Sequence, residues 1–269
     1  WQLAKLQTDY IDFGMIHCID ESSDLDAYAQ NGVLDYIRTL KRQGVVRRIG
    51  LSSHTPALVN RVLDLGIVDV VMFSVNPIYD YGKGDFGIGE NEERQALYRR
   101  CQREGVGITV MKPFGGGDLL DAALSPAGAA LTVDQCIAYA LDRPAVASVL
   151  CGARTKEEMA QCLTFCTASD EARDYASALA SFPRISWEKH CMYCGHCAPC
   201  PVGISVADVT KFLNLCLAQG SVPETVREHY ALLPVHASSC IECGACESRC
   251  PFHVEVRENM RRAAETFGD

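Results

Sequence analysis

Two short runs of cysteine constrain this chain more than any other feature. The first reads Cys191-Met-Tyr-Cys194-Gly-His-Cys197-Ala-Pro-Cys200-Pro201, the second Cys240-Ile-Glu-Cys243-Gly-Ala-Cys246-Glu-Ser-Arg-Cys250-Pro251. Two-residue gaps let a curled loop aim three thiolates at one centre, and Gly195 and Gly244 let the backbone come close to it. The fourth thiolate of each centre has to come from elsewhere. The chain holds 15 cysteines. Those outside the runs (Cys18, Cys101, Cys136, Cys151, Cys162, Cys166 and Cys216) have no regular spacing and read as small buried apolar residues. A disulfide scaffold is the wrong description of such a pattern.

Both runs end in Cys-Pro, the spacing of a pair of 4Fe-4S clusters in which the cysteine before proline crosses to the other cluster. The expected ligands are therefore Cys191, Cys194, Cys197 and Cys250 for one cluster and Cys240, Cys243, Cys246 and Cys200 for the other. The first run has two residues rather than three before its Cys-Pro, which predicts the same ligation in a tighter loop. Four-thiolate zinc sites also use two-residue gaps, but zinc knuckles seldom run on through a third cysteine to a fourth at Cys-Pro. His190, His196 and His253 lie near the runs and are not needed as ligands. Between the runs, Val206, Val209, Phe212, Leu213 and Leu217 have helical spacing up to Gly220, and a second helix is expected from Pro223 to about Leu232. The result is an α-helical ferredoxin-like domain over residues 184–269.

Residues 1–183 alternate short apolar runs with amphipathic stretches. Strands are expected at Tyr10 to Cys18, Arg48 to Ser52, Val68 to Ser74, Gly107 to Lys112 and Ser148 to Cys151. Helices are expected around Gly32 to Gln43, Thr55 to Asp64, Asn91 to Glu104, Thr132 to Asp142 and Thr155 to Phe165. Near-continuous apolar strands with helical crossovers imply an α/β fold with a parallel sheet covered on both faces. No Gly-rich turn follows the first strand, which suits a barrel better than a dinucleotide-binding sheet. Gly82-Lys-Gly84-Asp-Phe-Gly87 matches G-x-G-x-x-G but stands too far past its strand to cradle a pyrophosphate, and reads as a mobile surface loop. Gly115-Gly116-Gly117 follows its strand directly and is placed either for phosphate contact or as a flexible connection.

Charge narrows the partners. The formal net charge is −9, and two oxidised clusters would bring it to about −13, a poor surface for nucleic acid. No stretch is long and apolar enough for a membrane span, and the opening WQLAKLQTDY lacks the features of a signal peptide. A cytoplasmic protein is expected. The first residue is Trp and the chain opens in what reads as the end of a helix, so a fragment of a longer protein is expected too.

Several stretches resemble the aldo-keto reductase family, whose fold is a (β/α)8 TIM barrel that binds NADPH or NADH. LQTDYIDFGMIHCID is similar to the family's fourth strand, which places His17 at the catalytic histidine. RRIGLSSH resembles the fifth strand, with Ser52 and Ser53 where the family holds the nicotinamide carboxamide. ITVMKPFGGG resembles the seventh strand and pyrophosphate loop, and SVLCGARTKEEMAQC the eighth strand and adenosine-phosphate helix. The resemblance covers about residues 1–170 and implies an incomplete barrel of strands 4 to 8. With the cysteine runs it resembles the iron-sulfur subgroup of that family. The cofactor contacts it implies are Ser52, Ser53, Asn76, Met111, Lys112, Pro113, Gly115, Gly116, Gly152, Arg154, Thr155 and Glu158. Met111 stands where an aromatic ring usually stacks, Met72 where a Gln usually stands, and Glu158 where many members have Arg or Gln. Of the family's Asp, Tyr, Lys and His set, only the His is matched, so this chain by itself is expected to be inactive.

The function implied is an NAD(P)-dependent oxidoreductase acting on a small carbonyl or alcohol, with the clusters exchanging electrons with a redox partner. Nicotinamide gives up two electrons as hydride whereas a cluster takes one, so direct exchange needs a flavin or radical intermediate. The alternatives are a non-catalytic barrel scaffold carrying an electron-carrier module, and clusters that serve as folding staples.

Overall fold

The computed structural model of the chain describes residues 1–81, 87–182, 189, 191, 193–219 and 221–269. These residues form two compact units, Trp1–Gly117 with Pro144–Cys162, and Asp118–Arg143 with Leu163–Asp269.

The first unit is built on five parallel strands, β1 (Ile11–Ile16), β2 (Val46–Ser53), β3 (Val70–Ser74), β4 (Gly107–Met111) and β5 (Val146–Val149). They lie in the order β1-β2-β3-β4-β5, without the reversal that marks a doubly wound sheet. All five meet the sequence expectation to within a few residues. The interior strands bury one face completely, with Ile49, Leu51, Val71, Phe73, Ile108 and Val110 each at most 1% exposed, whereas Val70, Met72, Thr109 and Met111 on the opposite face of β3 and β4 are half-buried. Each fully buried side chain contributes roughly 1.5–3 kcal/mol of burial. The edge strands differ, with Asp12 and Phe13 exposed on β1 and Ala147 and Ser148 on β5. Gly50 leaves the space that the Met15 side chain fills, since a Cβ there would lie 2.1 Å from Met15 Sδ and displace it. The crossover helices Val33–Arg42, Pro56–Leu63 and Asn91–Glu104 fall where predicted. Pro56 starts the second of these, and Gly105 in the left-handed region ends the third.

One buried ion pair fixes the segment after β3. Arg94, fully buried, donates from Nε to Asp80 Oδ1 at 3.0 Å and from Nη1 to the Ile88 carbonyl at 3.0 Å, with further bonds to the Ser74 carbonyl and Tyr98. Gly82 to Phe86, which carry most of the G-x-G-x-x-G match, lie outside the described residues.

The second unit is helical. Val133–Leu141, which joins β4 to β5 in the chain, belongs to it and begins with a capping box between Thr132 and Gln135. The Tyr139 and Tyr175 rings pack edge to face at 5.3 Å. Further along, Val206–Gln219, Glu224–Ala231 and Val256–Phe267 share a core that includes Val209, Leu213, Tyr230, Met260 and Ala263. The first two helices were expected and the third was not. Cys101, Cys136 and Cys216 are buried as expected, Cys151 and Cys162 half-buried, and Cys18 and Cys166 are exposed, which corrects the reading of these last two as apolar filling. The side chains that decide the difference are Asp20 beside Cys18, and a short turn, Phe165–Thr167, around Cys166.

Candidate functional site

The two cysteine runs fold as copies of one loop. In each, the residue before the second cysteine is left-handed (Tyr193 φ 56°, Glu242 φ 52°), as is the glycine after it (Gly195 φ 79°, Gly244 φ 72°). The match continues past Cys-Pro at Gly203 (φ 84°) and His253 (φ 52°). Left-handed residues two apart turn successive N–H groups toward one side, a concavity that suits an anionic centre such as an iron-sulfur cluster. A Cβ on Gly195 or Gly244 would meet nothing within 4 Å. Both glycines are required by their left-handed backbone conformation.

The thiols gather as two groups. Cys200 from the first run joins Cys240, Cys243 and Cys246 around a single small cavity with apolar walls that include Ile204 and Met260. The other group is visible in its electrostatics. Burial pushes the Cys191 thiol up to about 12, and the neighbouring thiols Cys194, Cys197 and Cys250 add to the rise. Burial likewise raises Cys194, with Cys250 again contributing, and lifts Cys197 to about 11, with Cys194, Cys246 and Cys250 contributing. Mutually repelling, desolvated thiols ionise only when a cationic centre compensates them. This donor set fits a thiolate-bound iron cluster.

Arg249 ties the two loops together, donating from Nη2 to the carbonyls of Cys197 at 2.7 Å and Pro199 at 2.8 Å. It lies in the three-residue gap of the second run, and it satisfies carbonyls of the shorter gap in the first. The sequence reading missed it, although the unequal gap lengths pointed to it. His196 bonds Asp174 at 3.1 Å through Nε2, His253 is exposed, and His190 lies outside the described residues.

In the first unit, the residues implied by the resemblance follow the C-terminal ends of the strands in turn, where ligands of parallel α/β sheets bind. His17 follows β1, exposed, its carbonyl accepting from Tyr28 Oη at 3.3 Å. Ser52 and Ser53 end β2, both buried. Ser52 Oγ accepts from the Cys18 amide at 2.8 Å, and Ser53 Oγ donates to the Ile19 carbonyl at 2.6 Å. Asn76, buried after β3, accepts from the Tyr79 amide and donates to the Lys112 carbonyl, both at 2.9 Å. Met111 closes β4, Lys112 is left-handed, and Pro113 is buried. Gly115 and Gly116 (φ 60° and 82°) open a helical turn, and a Cβ on Gly116 would meet nothing within 4 Å. After β5, Gly152 is exposed, and Arg154 pairs with Glu158 at 2.9 Å. Thr155 Oγ1 accepts from the Glu158 amide at 3.2 Å and starts the helix Lys156–Thr164.

A further group beside His17 was not foreseen. Cys18, Asp20 and His54 place their donor atoms within 4.8 Å of one another.

The family profile described as "Aldo/keto reductase family" matches residues 2–130, and that described as "4Fe-4S binding domain" matches residues 233–254. No curated protein matches the sequence. Among solved structures, the holo form of aldo-keto reductase AKR11C1 from Bacillus halodurans superposes with a TM-score of 0.51 at 20% identity, covering 64% of this chain and 62% of that one. Its apo form gives 0.49 at 21% identity over 64% and 63%. The first likeness speaks for the fold, and the chain spans about 62% of that relative's length. No helix of the described residues is long and apolar enough to cross a membrane. Residues 2–130 are thus similar to the aldo/keto reductase family, and residues 233–254 are similar to 4Fe-4S binding domains.

Proposed function

We propose that the protein is an NAD(P)-dependent oxidoreductase of aldo-keto reductase type, acting on a small carbonyl or alcohol and carrying two 4Fe-4S clusters that exchange electrons with a redox partner in the cytoplasm. The barrel part is assigned to residues 1–183, as an arc of a (β/α)8 barrel holding strands 4 to 8, and the cluster part to residues 184–269. The strand order without reversal and the exposed outer faces of β1 and β5 support an unclosed arc.

The observation that supports this reading is how the thiols of the two runs are grouped. Cys200 stands with Cys240, Cys243 and Cys246 around one cavity, while Cys250 acts on the thiols of Cys191, Cys194 and Cys197. When bound, the clusters supply one-electron transfer and the nicotinamide supplies hydride. The chain's own residues half-bury most of the thiols, hold the loops through Arg249, and present His17 to orient a substrate. Gly115 and Gly116 fit a pyrophosphate. The pairing of Arg154 with Glu158 places a carboxylate where a 2′-phosphate would otherwise find a free guanidinium, which favours NADH.

A second reading, a barrel scaffold bearing an electron carrier, is favoured by the bonding of Ser53 and Asn76 to backbone. Anaerobic reconstitution of the whole protein, with iron and sulfide counted and nicotinamide titrated, separates the two. Eight irons per chain with micromolar nicotinamide affinity support the enzyme, and eight irons without binding support the carrier. Four irons, or a count unchanged in Cys200→Ser, sink the crossed pair.

A further inference from the structure

Beyond the cysteine loops, one cluster of metal-binding donors stands at the C-terminal ends of β1 and β2. We propose that Cys18 Sγ, an Asp20 carboxylate oxygen and His54 Nδ1 bind one divalent transition metal, zinc by preference, with a fourth position open to an oxygen ligand.

The geometry is that of a closed triangle of donors. Asp20 Oδ2 lies 3.2 Å from Cys18 Sγ and 2.8 Å from His54 Nδ1, and all three atoms fall within 4.8 Å of one another. Tetrahedral zinc with bonds of about 2.0–2.3 Å sets its donors roughly 3.4–3.6 Å apart, so the two sides that meet at Asp20 open by roughly half an ångström on binding, while the Cys18–His54 side starts from within 4.8 Å. Short side-chain movements achieve this, because the backbone around it is held independently.

That support is the second observation. Asp20 Oδ1 accepts from the His54 amide at 2.6 Å and from Ser53 Oγ at 3.1 Å, leaving Oδ2 for the other two donors. The Cys18 amide donates to Ser52 Oγ at 2.8 Å, the Ile19 amide to the Ser52 carbonyl at 3.1 Å, and Thr55 Oγ1 to the Asp20 carbonyl at 3.1 Å. Metal sites depend on outer hydrogen bonds of this kind to fix their ligands. Cys18 itself is held left-handed, at φ 56°, a disfavoured conformation for a residue with a Cβ.

The chemistry of the donors selects the ion. Thiolate with imidazole favours zinc over magnesium or calcium. Binding breaks the Sγ–H bond, whose proton leaves to solvent, and the imidazole carries its remaining proton on Nε2. One thiolate and one carboxylate then balance the charge of a dication. A thiol-nucleophile triad is a poorer account, because the carboxylate stands between thiol and imidazole and the thiol donates to it. Three protein ligands with one open position is the coordination of catalytic zinc. Its place at the strand ends gives the open position to water or to the oxygen of a small alcohol or carbonyl.

The test is equilibrium dialysis of the cluster-loaded full chain against micromolar Zn²⁺, with zinc and iron counted on the same sample. One zinc per chain at unchanged iron is expected. Cys18→Ala and His54→Ala should each weaken it at least ~10-fold, whereas Cys166→Ala, which removes another exposed cysteine, leaves it intact. X-ray absorption at the zinc edge on the unaltered protein is independent of how the variants fold. It should show one sulfur near ~2.3 Å with nitrogen and oxygen near ~2.0–2.2 Å. No bound zinc, zinc that survives Cys18→Ala, or three to four sulfurs around it overturns the proposal.

Discussion

The parallel sheet and the cysteine loops are ordered by different means. In β2, β3 and β4 the apolar side chains of one face are fully covered, and polar groups at the strand ends already have backbone partners, as with Asn76 and Ser53. The loops at 191–200 and 240–250 instead bring half-exposed thiols together on left-handed backbone, tied by Arg249. Such an arrangement has little apolar burial of its own. The sheet carries its order in its side chains, while the loops depend on what the thiols bind.

Stripping iron is the severest way to break that contrast. Structural metal ligation is worth on the order of 10 kcal/mol where it has been measured for zinc. Hydrogen exchange should therefore rise by several orders of magnitude at 191–200 and 240–250 in the apoprotein, while β2 to β4 keep their protection. Equal loosening of both regions would show that the sheet also leans on the clusters. Next in size is Arg94→Ala, which leaves Asp80 buried without its cation. The expected cost is about 3–5 kcal/mol, read as lost exchange protection in β3 and Asn91–Glu104 with the iron count unchanged. Arg94→Met combined with Asp80→Leu should recover most of it, since no lone charge then remains.

What was legible in the sequence follows the same division. Apolar runs marked all five strands, although only the interior ones have a fully buried face. Helix Val256–Phe267 was missed because only Val256, Met260 and Ala263 are buried along its otherwise charged length. A repeat would have revealed it: Cys200-Pro-Val-Gly-Ile-Ser-Val206 precedes one helix and Cys250-Pro-Phe-His-Val-Glu-Val256 the other. The cysteine spacing suggested loops that could converge, but which carbonyls Arg249 would reach depends on the folded loops. Cys18, Asp20 and His54 were hidden for another reason. They are up to 36 residues apart, and only the parallel register pairing Ile16 with Leu51 brings the following residues side by side.

Arg249→Ala sharpens the comparison from the loop side. The bonds to Cys197 and Pro199 come from a charged donor, but at an exposed position, so a loss of about 1.4 kcal/mol, or ~10-fold, is expected in resistance to iron removal. Iron release to a chelator measures it, and Arg249→Lys, which cannot fork between two carbonyls, should be nearly as fast. A rate unchanged in both variants would mean that ligation alone holds the loops.

The smallest effect tests whether the sheet's other end uses charge at all. Asp69 Oδ2 accepts from Lys41 Nζ at 2.6 Å and from the Ile49 amide at 2.8 Å, with Arg48 at 3.5 Å from Oδ1. Burial pushes its carboxyl up, but the Lys41 bond, the Ile49 amide and the field of Lys41 and Arg48 together hold it below the ordinary 3.8. A carboxyl depressed in the folded state stabilises at pH above its unfolded value, and that contribution fades as pH falls through the folded one. Asp69→Asn should therefore weaken exchange protection in β2 at pH 7 by about 1 kcal/mol or less, and the gap to the unaltered protein should close as pH drops below about 4. A gap that persists in acid would assign the contribution to the neutral bond from Ile49, making this end of the sheet as independent of charge as its apolar middle.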